Sequence, residues 1–317
     1  MQHRRVGHTG LEVSRIGLGT MQWGTQVDSY EAEDQLTAFV DAGGTLIDTA
    51  PVYGDGSCEP LIGTLLAKTG LRDEIVLAGK AGLRSRGHEM VRDASRGTLL
   101  DQLDASLSDL GTDHLDLWQV HVWDDSTPPD ETFAALEHAV VSGRVRYVGV
   151  SNYRGWQASH AHTWLSMRPA GVRLASTQTE YSLTHRDAER DVVPAARHHG
   201  MGVLAWSSLG RGVLTGKYRN GIPSDSRAAQ PEWESFVGGY LTPGPVAVVE
   251  AAARAAEGLG VTVSHVALAW LRDRPGIASA LVGARTTPQL QESLASEDIV
   301  VPAEILQALD DVSEVVR

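Results

Sequence analysis

Short apolar runs alternate with longer amphipathic stretches along the whole chain. The runs 16–19, 45–48, 75–80, 114–121, 145–150, 172–178, 201–206 and 277–283 are largely continuous in hydrophobicity rather than alternating. That pattern predicts parallel strands covered on both faces. Between the runs, apolar residues recur at helical spacing. In 98–110, Leu99, Leu100, Leu103, Leu107 and Leu110 share one side, while Asp101, Asp104 and Asp109 turn away. Segments 31–41, 130–141, 188–199 and 264–271 repeat the arrangement. Gly43-Gly44, Gly111 and Gly200 stand where such helices should stop.

Strand–helix alternation of this kind predicts either a closed barrel or a doubly wound sheet. A doubly wound dinucleotide fold carries G-x-G-x-x-G after an early strand. Here Gly17 and Gly19 begin that pattern, but Gln22 ends it. A phosphate loop fails too, because Tyr218 follows Gly216-Lys217 and Arg211 stands where the first glycine is needed. The barrel is the better reading: an α/β chain folded as a (β/α)8 TIM barrel, which typically takes about 250 residues. The 317 residues then make one barrel domain, 1–317, with two additions. Residues 4–13, around Thr9-Gly10, predict an N-terminal β-hairpin. Residues 209–245, after the seventh strand, are rich in Gly, Pro and Ser with little periodicity, and a loop that long is usually functional.

Composition narrows the classes. Hydrophobic residues are 42% and charged residues 21%, as in soluble globular proteins. The net charge of -13 speaks against a nucleic-acid partner, which needs a basic face. The one cysteine, Cys58, has no partner for an internal disulfide and no activating neighbour in sequence, which fits a passive thiol in a reducing cytoplasm. No apolar stretch follows the charged N-terminus, and no run reaches the roughly 18 apolar residues of a membrane helix.

Barrel enzymes build their sites at the C-terminal ends of the strands. Reading those ends gives Asp48 with Tyr53 in the following loop, then Lys80, His121, Ser151-Asn152, Gln178, Trp206, and Gly283 with Arg285. A purely structural barrel has no reason to place polar groups at nearly every strand end. The set suits carbonyl reduction, which needs a hydride and a proton. Tyr53 is the candidate acid. Lys80 beside it would lower its pKa, Asp48 would hold Lys80 charged, and His121 would orient the substrate oxygen. No metal is needed, and the spacing of His160 and His162 puts them on different helix faces.

The runs 47–54 (IDTAPVYG), 77–80 (LAGK), 115–121 (LDLWQVH) and 149–152 (GVSN) resemble those of the aldo-keto reductase superfamily. They hold its Asp, Tyr, Lys and His in order, and the similarity extends from the hairpin to Ser293. Within the superfamily, 204–218 (LAWSSLGRGVLTGKY) is similar to the potassium-channel β-subunit and bacterial stress-protein branch. The resemblance implies a nicotinamide cofactor clasped by the long loop. Ser151, Asn152 and Gln178 would hold the carboxamide, Trp206 would stack on the ring, and Gly19, Thr20, Met21 and Asp48 would lie alongside. Ser207, Leu209, Gly210, Arg211 and Lys217 would wrap the pyrophosphate, with Arg227 helping to close it. Gly283, Arg285, Gln289, Glu292 and Ser293 would take the adenosine end. The family usually has Asn at the position of Ser293, whose shorter side chain weakens that contact. Arg285 suits a 2'-phosphate, so NADPH is expected over NADH, with NADH the other nucleotide open to it. Trp23, Tyr53 and Trp123 are expected to line the substrate cleft.

Simpler readings stand beside these. Asp48–Lys80 can be an internal ion pair, Trp206 and His121 core residues, and Lys217, Arg227 and Arg285 solvated charges. Trp233 either lines the cleft or packs the loop. Two other functions are open: an NADPH-holding redox-sensing subunit that modulates a partner, and a lyase or isomerase forming a Schiff base on Lys80.

Overall fold

The structure, a computed structural model, describes residues 1–87 and 89–314. The chain opens with strands β1 (His3–Arg5) and β2 (Glu12–Ser14), an antiparallel hairpin. The first three barrel strands are β3 (Ile16–Gly19), β4 (Leu46–Asp48) and β5 (Val76–Ala81). A second hairpin follows, β6 (Leu83–Arg86) with β7 (Glu89–Arg92). The barrel resumes with β8 (Leu115–Val120), β9 (Val145–Ser151), β10 (Leu174–Glu180), β11 (Gly202–Trp206) and β12 (Ile277–Val282). These eight parallel strands close in the order β3-β4-β5-β8-β9-β10-β11-β12, with β12 returning to β3. The fold is a (β/α)8 barrel, as the apolar runs predict.

Helices cover the outside: α1 (Ser29–Asp41), α2 (Cys58–Thr69), α3 (Arg96–Leu110), α4 (Pro129–Val141), α5 (Gly155–Ser166) and α6 (Val192–His199). After β11 come α7 (Pro231–Gly238), α8 (Pro243–Leu259) and α9 (Val263–Arg272), and after β12 come α10 (Thr287–Ala295) and α11 (Ala303–Ser313). Asp28 caps α1 by accepting from the backbone of Tyr30 and Glu31, satisfying donors the first turn leaves over. Gly111 and Gly200 end α3 and α6 in the left-handed conformation, where a Cβ is unfavourable.

Two cores result. The larger lies between strands and helices. The smaller joins Val6, Leu11 and Val13 of the N-terminal hairpin to Leu46, Ala78, Leu117, Ala175, Leu204, Ala278 and Leu281 of the strands. The hairpin therefore plugs the end of the barrel where the strands begin. The other end, where they finish, is left for chemistry.

The sequence-based boundaries need four amendments. The strand expected over 172–178 runs over Leu174–Glu180, because pairing of Thr179 with Ala205 and Glu180 with Trp206 continues after the apolar run has stopped. The β6–β7 hairpin carries no apolar alternation to reveal it. Segment 209–245 is not an aperiodic loop throughout. It holds a turn of 3-10 helix (Gly210–Thr215), helix α7, and the start of α8, the two helices each opening on a proline whose missing N–H costs nothing at that position. Similarly, the helix expected over 188–199 is the shorter α6 with a 3-10 turn (Asp187–Glu189) ahead of it.

Candidate active site

Asp48 ends β4, and Lys80 sits one residue before the end of β5, the neighbouring strand in the barrel. Lys80 is 1% exposed, so its charge must be met from inside the protein. Its Nζ donates to Asp48 Oδ1 at 2.5 Å, to the backbone oxygen of Thr49 at 3.2 Å and to Tyr53 Oη at 3.1 Å. All three ammonium protons thus have acceptors. Burial alone would push the Lys80 pKa down, but Asp48 and Tyr53 outweigh it and the pKa stands above the ordinary lysine value. A permanently protonated amine is a poor Schiff-base nucleophile, which counts against the lyase reading. The second oxygen of Asp48 accepts from Gln178 Nε2 at 2.7 Å.

Tyr53 reaches this group from a short turn, Tyr53–Gly56, whose Gly54 has φ 58 and whose Cβ, if present, would lie 2.2 Å from the Trp23 carbonyl oxygen. Only glycine fits there. Burial pushes the Tyr53 phenol up, and the neighbouring Lys80 draws it down without outweighing burial, so its pKa lies above the ordinary tyrosine value. The expectation that Lys80 lowers it overall is therefore corrected for the protein by itself. His121 follows β8 with its ring edge-on to Tyr53, centroids 6.0 Å apart. Burial, then the Lys80 charge, hold His121 down at about 3, so its imidazole is neutral across the ordinary pH range.

The next strand ends form a second layer. Asn152, with φ 56, turns its amide back so that Nδ2 donates to the His121 carbonyl at 3.0 Å and to Ser151 Oγ at 3.1 Å. Its Oδ1 accepts from Trp206 Nε1 at 3.0 Å, which fixes the indole at the end of β11. Ser207 follows in the same left-handed conformation, φ 57, and its carbonyl accepts from Gly210 N. Met21 and Gly283 are exposed, and Gly19 is half-buried opposite Gly283, where a Cβ on Gly283 would come 3.2 Å from the Gly19 carbonyl oxygen.

Lys217, Arg227 and Arg285 form a cationic group. Partial burial lowers the pKa of Lys217 and Arg227, and repulsion from Arg285 adds to it in both. Arg227 also lies over the Trp233 ring, and Arg285 donates to the backbone oxygen of Asp225 at 2.9 Å. Gln289 Oε1 accepts from Arg285 N, and Glu292 is exposed beside it on α10.

Several expected residues sit elsewhere. Trp23 is 1% exposed and donates to Gln35 Oε1 at 3.0 Å, so it belongs to the core and not to the cleft. Thr20 is fully buried, its hydroxyl given to the Asp48 carbonyl at 2.9 Å, and it ties β3 to β4. Ser293 is buried and donates to the Gln289 carbonyl of its own helix, the usual habit of a mid-helix serine, so it presents nothing outward. Arg211 spends its guanidinium on Glu180 and the Phe236 carbonyl rather than on open space. Trp123 is half-buried, with its indole N–H on Asp125, and packs edge-on against Tyr153 and Trp156. Trp233 packs against Phe236, which favours the loop-packing alternative. Cys58 is buried against Thr20, and its thiol is pushed up to about 11 by burial, in keeping with a passive role. Sequence reasoning missed Thr49 and Glu180. A strand end placed at 180 would have shown Glu180 as one more polar strand terminus.

The model of the Aldo/keto reductase family matches residues 15–314. The chain belongs to that family and is an oxidoreductase of the aldo-keto reductase class. It is 35% identical to the uncharacterized oxidoreductase YrpG of Bacillus subtilis, over 98% of this chain and 96% of that one. It is 34% identical to the aldo-keto reductase YhdN of the same organism, covering 92% and 87% of the two chains. A probable voltage-gated potassium channel subunit beta of Arabidopsis thaliana is 32% identical, over 100% of this chain and 97% of that one. No helix among the described residues is long and apolar enough to cross a membrane.

Proposed function

We propose that this protein is an NADPH-dependent reductase of aldehydes or ketones, with Tyr53 as general acid. The observation that carries the reading is the single hydrogen-bonded chain Gln178–Asp48–Lys80–Tyr53 at the open end of the barrel, with a neutral His121 beside it. The residues present also fit a nicotinamide nucleotide. Lys217, Arg227 and Arg285 repel one another, as the gathered cations of a phosphate site do. A Cβ on Gly283 would press tightly on the Gly19 carbonyl oxygen, 3.2 Å away, and Trp206 is held as a fixed plane. Ser151, Asn152 and Gln178 would take the carboxamide, Ser207, Leu209, Gly210 and Lys217 the pyrophosphate, Arg227 and Arg285 the 2'-phosphate, and Gln289 and Glu292 the adenosine.

When bound, the reduced nucleotide supplies the hydride. The protein supplies the proton and the field. Tyr53 donates its phenolic proton to the carbonyl oxygen as that oxygen becomes negative. Lys80 stabilises the phenolate left behind, a service worth most in a site shielded from water. Asp48 keeps Lys80 charged and in place, and Gln178 keeps Asp48 in place. Neutral His121 can give a hydrogen bond to the substrate oxygen without competing as an acid.

Replacing Tyr53 by Phe removes the phenolic proton and keeps the ring. We expect NADPH binding within about twofold of wild type and turnover down by roughly 100- to 10,000-fold, the usual worth of a positioned acid. The check is near-UV absorbance of NADPH with a panel of aldehydes and ketones; unchanged turnover would sink the assignment. The named channel relative keeps one other reading open, an NADPH-holding regulatory subunit. NADPH binding with no consumption against any carbonyl would favour it.

A further inference from the structure

Glu180 closes β10 and is the register partner of Trp206 at the end of β11. Its carboxylate accepts from Arg211 at both oxygens, 2.8 Å from Nε and 2.8 Å from the terminal nitrogen, and from the Tyr240 hydroxyl at 2.7 Å. Arg211 reaches onward. Its other terminal nitrogen donates to the Phe236 carbonyl at 2.7 Å, and its guanidinium stands 3.9 Å from the Phe236 ring centroid and 5.3 Å from that of Tyr240. One carboxylate on the rigid barrel therefore gathers three separate points of the 209–245 segment: its beginning, helix α7, and the turn after α7.

The pair is shielded, with side chains 13% and 18% exposed, and a bidentate arginine–carboxylate contact of this kind is far stronger than a surface ion pair. The backbone needs that support. Gly210, Arg211 and Gly212 have φ values of 55, 55 and 98, three successive left-handed residues, and the conformation is unfavourable for arginine. Without its anchor the turn has every reason to relax. Ser207 and Leu209 lie just before this turn and Lys217 just after it, so the groups assigned to the pyrophosphate flank the clasp on both sides.

We propose that Glu180 is a positioning residue that clasps the 209–245 segment through Arg211 and Tyr240, and so sets how long the nicotinamide nucleotide stays bound. The proposal rests on the reading of the site given above. Glu180 touches no reacting atom; it acts by holding the segment from which the nucleotide must be released. In many enzymes the opening of such a segment limits turnover.

The test uses the full chain with NADPH as probe and no carbonyl. Release is followed by stopped-flow fluorescence after mixing with excess NADP+. Glu180→Gln, which keeps the volume and removes the charge, should release NADPH at least tenfold faster, and Tyr240→Phe a few-fold faster. The double variant Glu180→Gln/Arg211→Met should be no faster than Glu180→Gln alone, because both act through one contact. With nucleotide saturating, KM for the carbonyl and the pH profile should stay as in wild type and kcat should not fall, an outcome that a general loss of structure would not give. In the nucleotide-free protein, trypsin should cut after Lys217 or Arg219 faster in Glu180→Gln. Wild-type release from a folded Glu180→Gln, or additive effects in the double variant, would overturn the proposal. If Glu180→Gln does not fold, unchanged release from Tyr240→Phe overturns it. Failure of the wild type to bind NADPH would instead overturn the proposed function and with it the nucleotide role of the clasp, while the proteolysis still reports whether the clasp holds the segment.

Discussion

The Tyr53 hydroxyl and the Lys80 ammonium lie 3.1 Å apart, yet the phenol is harder to ionise than a free tyrosine. Burial outweighs the single cation, and that cation is already shared with Asp48. A donor that keeps its proton until the substrate oxygen becomes basic is well suited to a reductase. The same balance gives the following expectations.

Removing the cation should damage the fold as well as the chemistry. Lys80→Met leaves the Asp48 carboxylate buried with only Gln178 for support. A buried pair broken on one side typically costs about 3–5 kcal/mol. Denaturant unfolding measures it, and Asp48→Asn in the Lys80→Met background should recover part of the loss. No loss in Lys80→Met would mean that Asp48 is not held as a charged group.

The pH profile of carbonyl reduction should be flat through neutrality. His121 is neutral above about pH 3, so it gives no limb between pH 5.5 and 9. As the proposed acid, Tyr53 must be protonated to act, and its pKa is raised above 10.0, so the alkaline fall should come above pH 10. An acid limb near pH 6.5 that vanishes on replacing His121 would contradict this. For stability the sign is opposite. A histidine depressed below its ordinary 6.5 favours the unfolded chain progressively as pH falls from 6.5 toward 3.

Glu59 should be a liability at neutral pH. It is 2% exposed, Ser106 donates to its Oε2 at 2.8 Å, and its Oε1 has no partner among the described residues. Burial pushes its pKa from 4.5 up to about 7. The unfolded chain then ionises first, and stability is lost as pH rises from 4.5 through 7. Glu59→Gln should therefore stabilise the protein by about 1–3 kcal/mol at pH 8 and by little at pH 4.5. Thermal melting at the two pH values is the check, and an equal effect at both would refute it.

Nucleotide preference should turn on Arg285. Arg285→Ala is expected to raise the Kd of NADPH about tenfold or more, a loss typical of one hydrogen bond to a charged group, and that of NADH much less. Titration of intrinsic tryptophan fluorescence with each nucleotide decides it. Equal losses would place Arg285 against a part common to both.

Much of this was legible in the sequence because it is local. Continuous apolar runs marked all eight barrel strands, and polar residues at their ends marked Asp48, Lys80, His121, Gln178 and Trp206. What misled was also local. Trp23 and Thr20 follow a strand end closely, as site residues do, but their side chains turn into the core. The hairpin β6–β7 and helix α7 lack a clean hydrophobic period, so pattern reading passed over them.

The sequence by itself determined the barrel, the N-terminal hairpin, the family and the order of the chemical groups, since each depends on residue type and spacing along one stretch of chain. Only the tertiary structure decided the direction of the Tyr53 and His121 pKa shifts, the internal hydrogen bonds of Arg211 and Ser293, and the joining of Glu180 to Tyr240. Those depend on burial and, for Arg211 and Tyr240, on a partner 31 and 60 residues away, for which periodicity carries no signal.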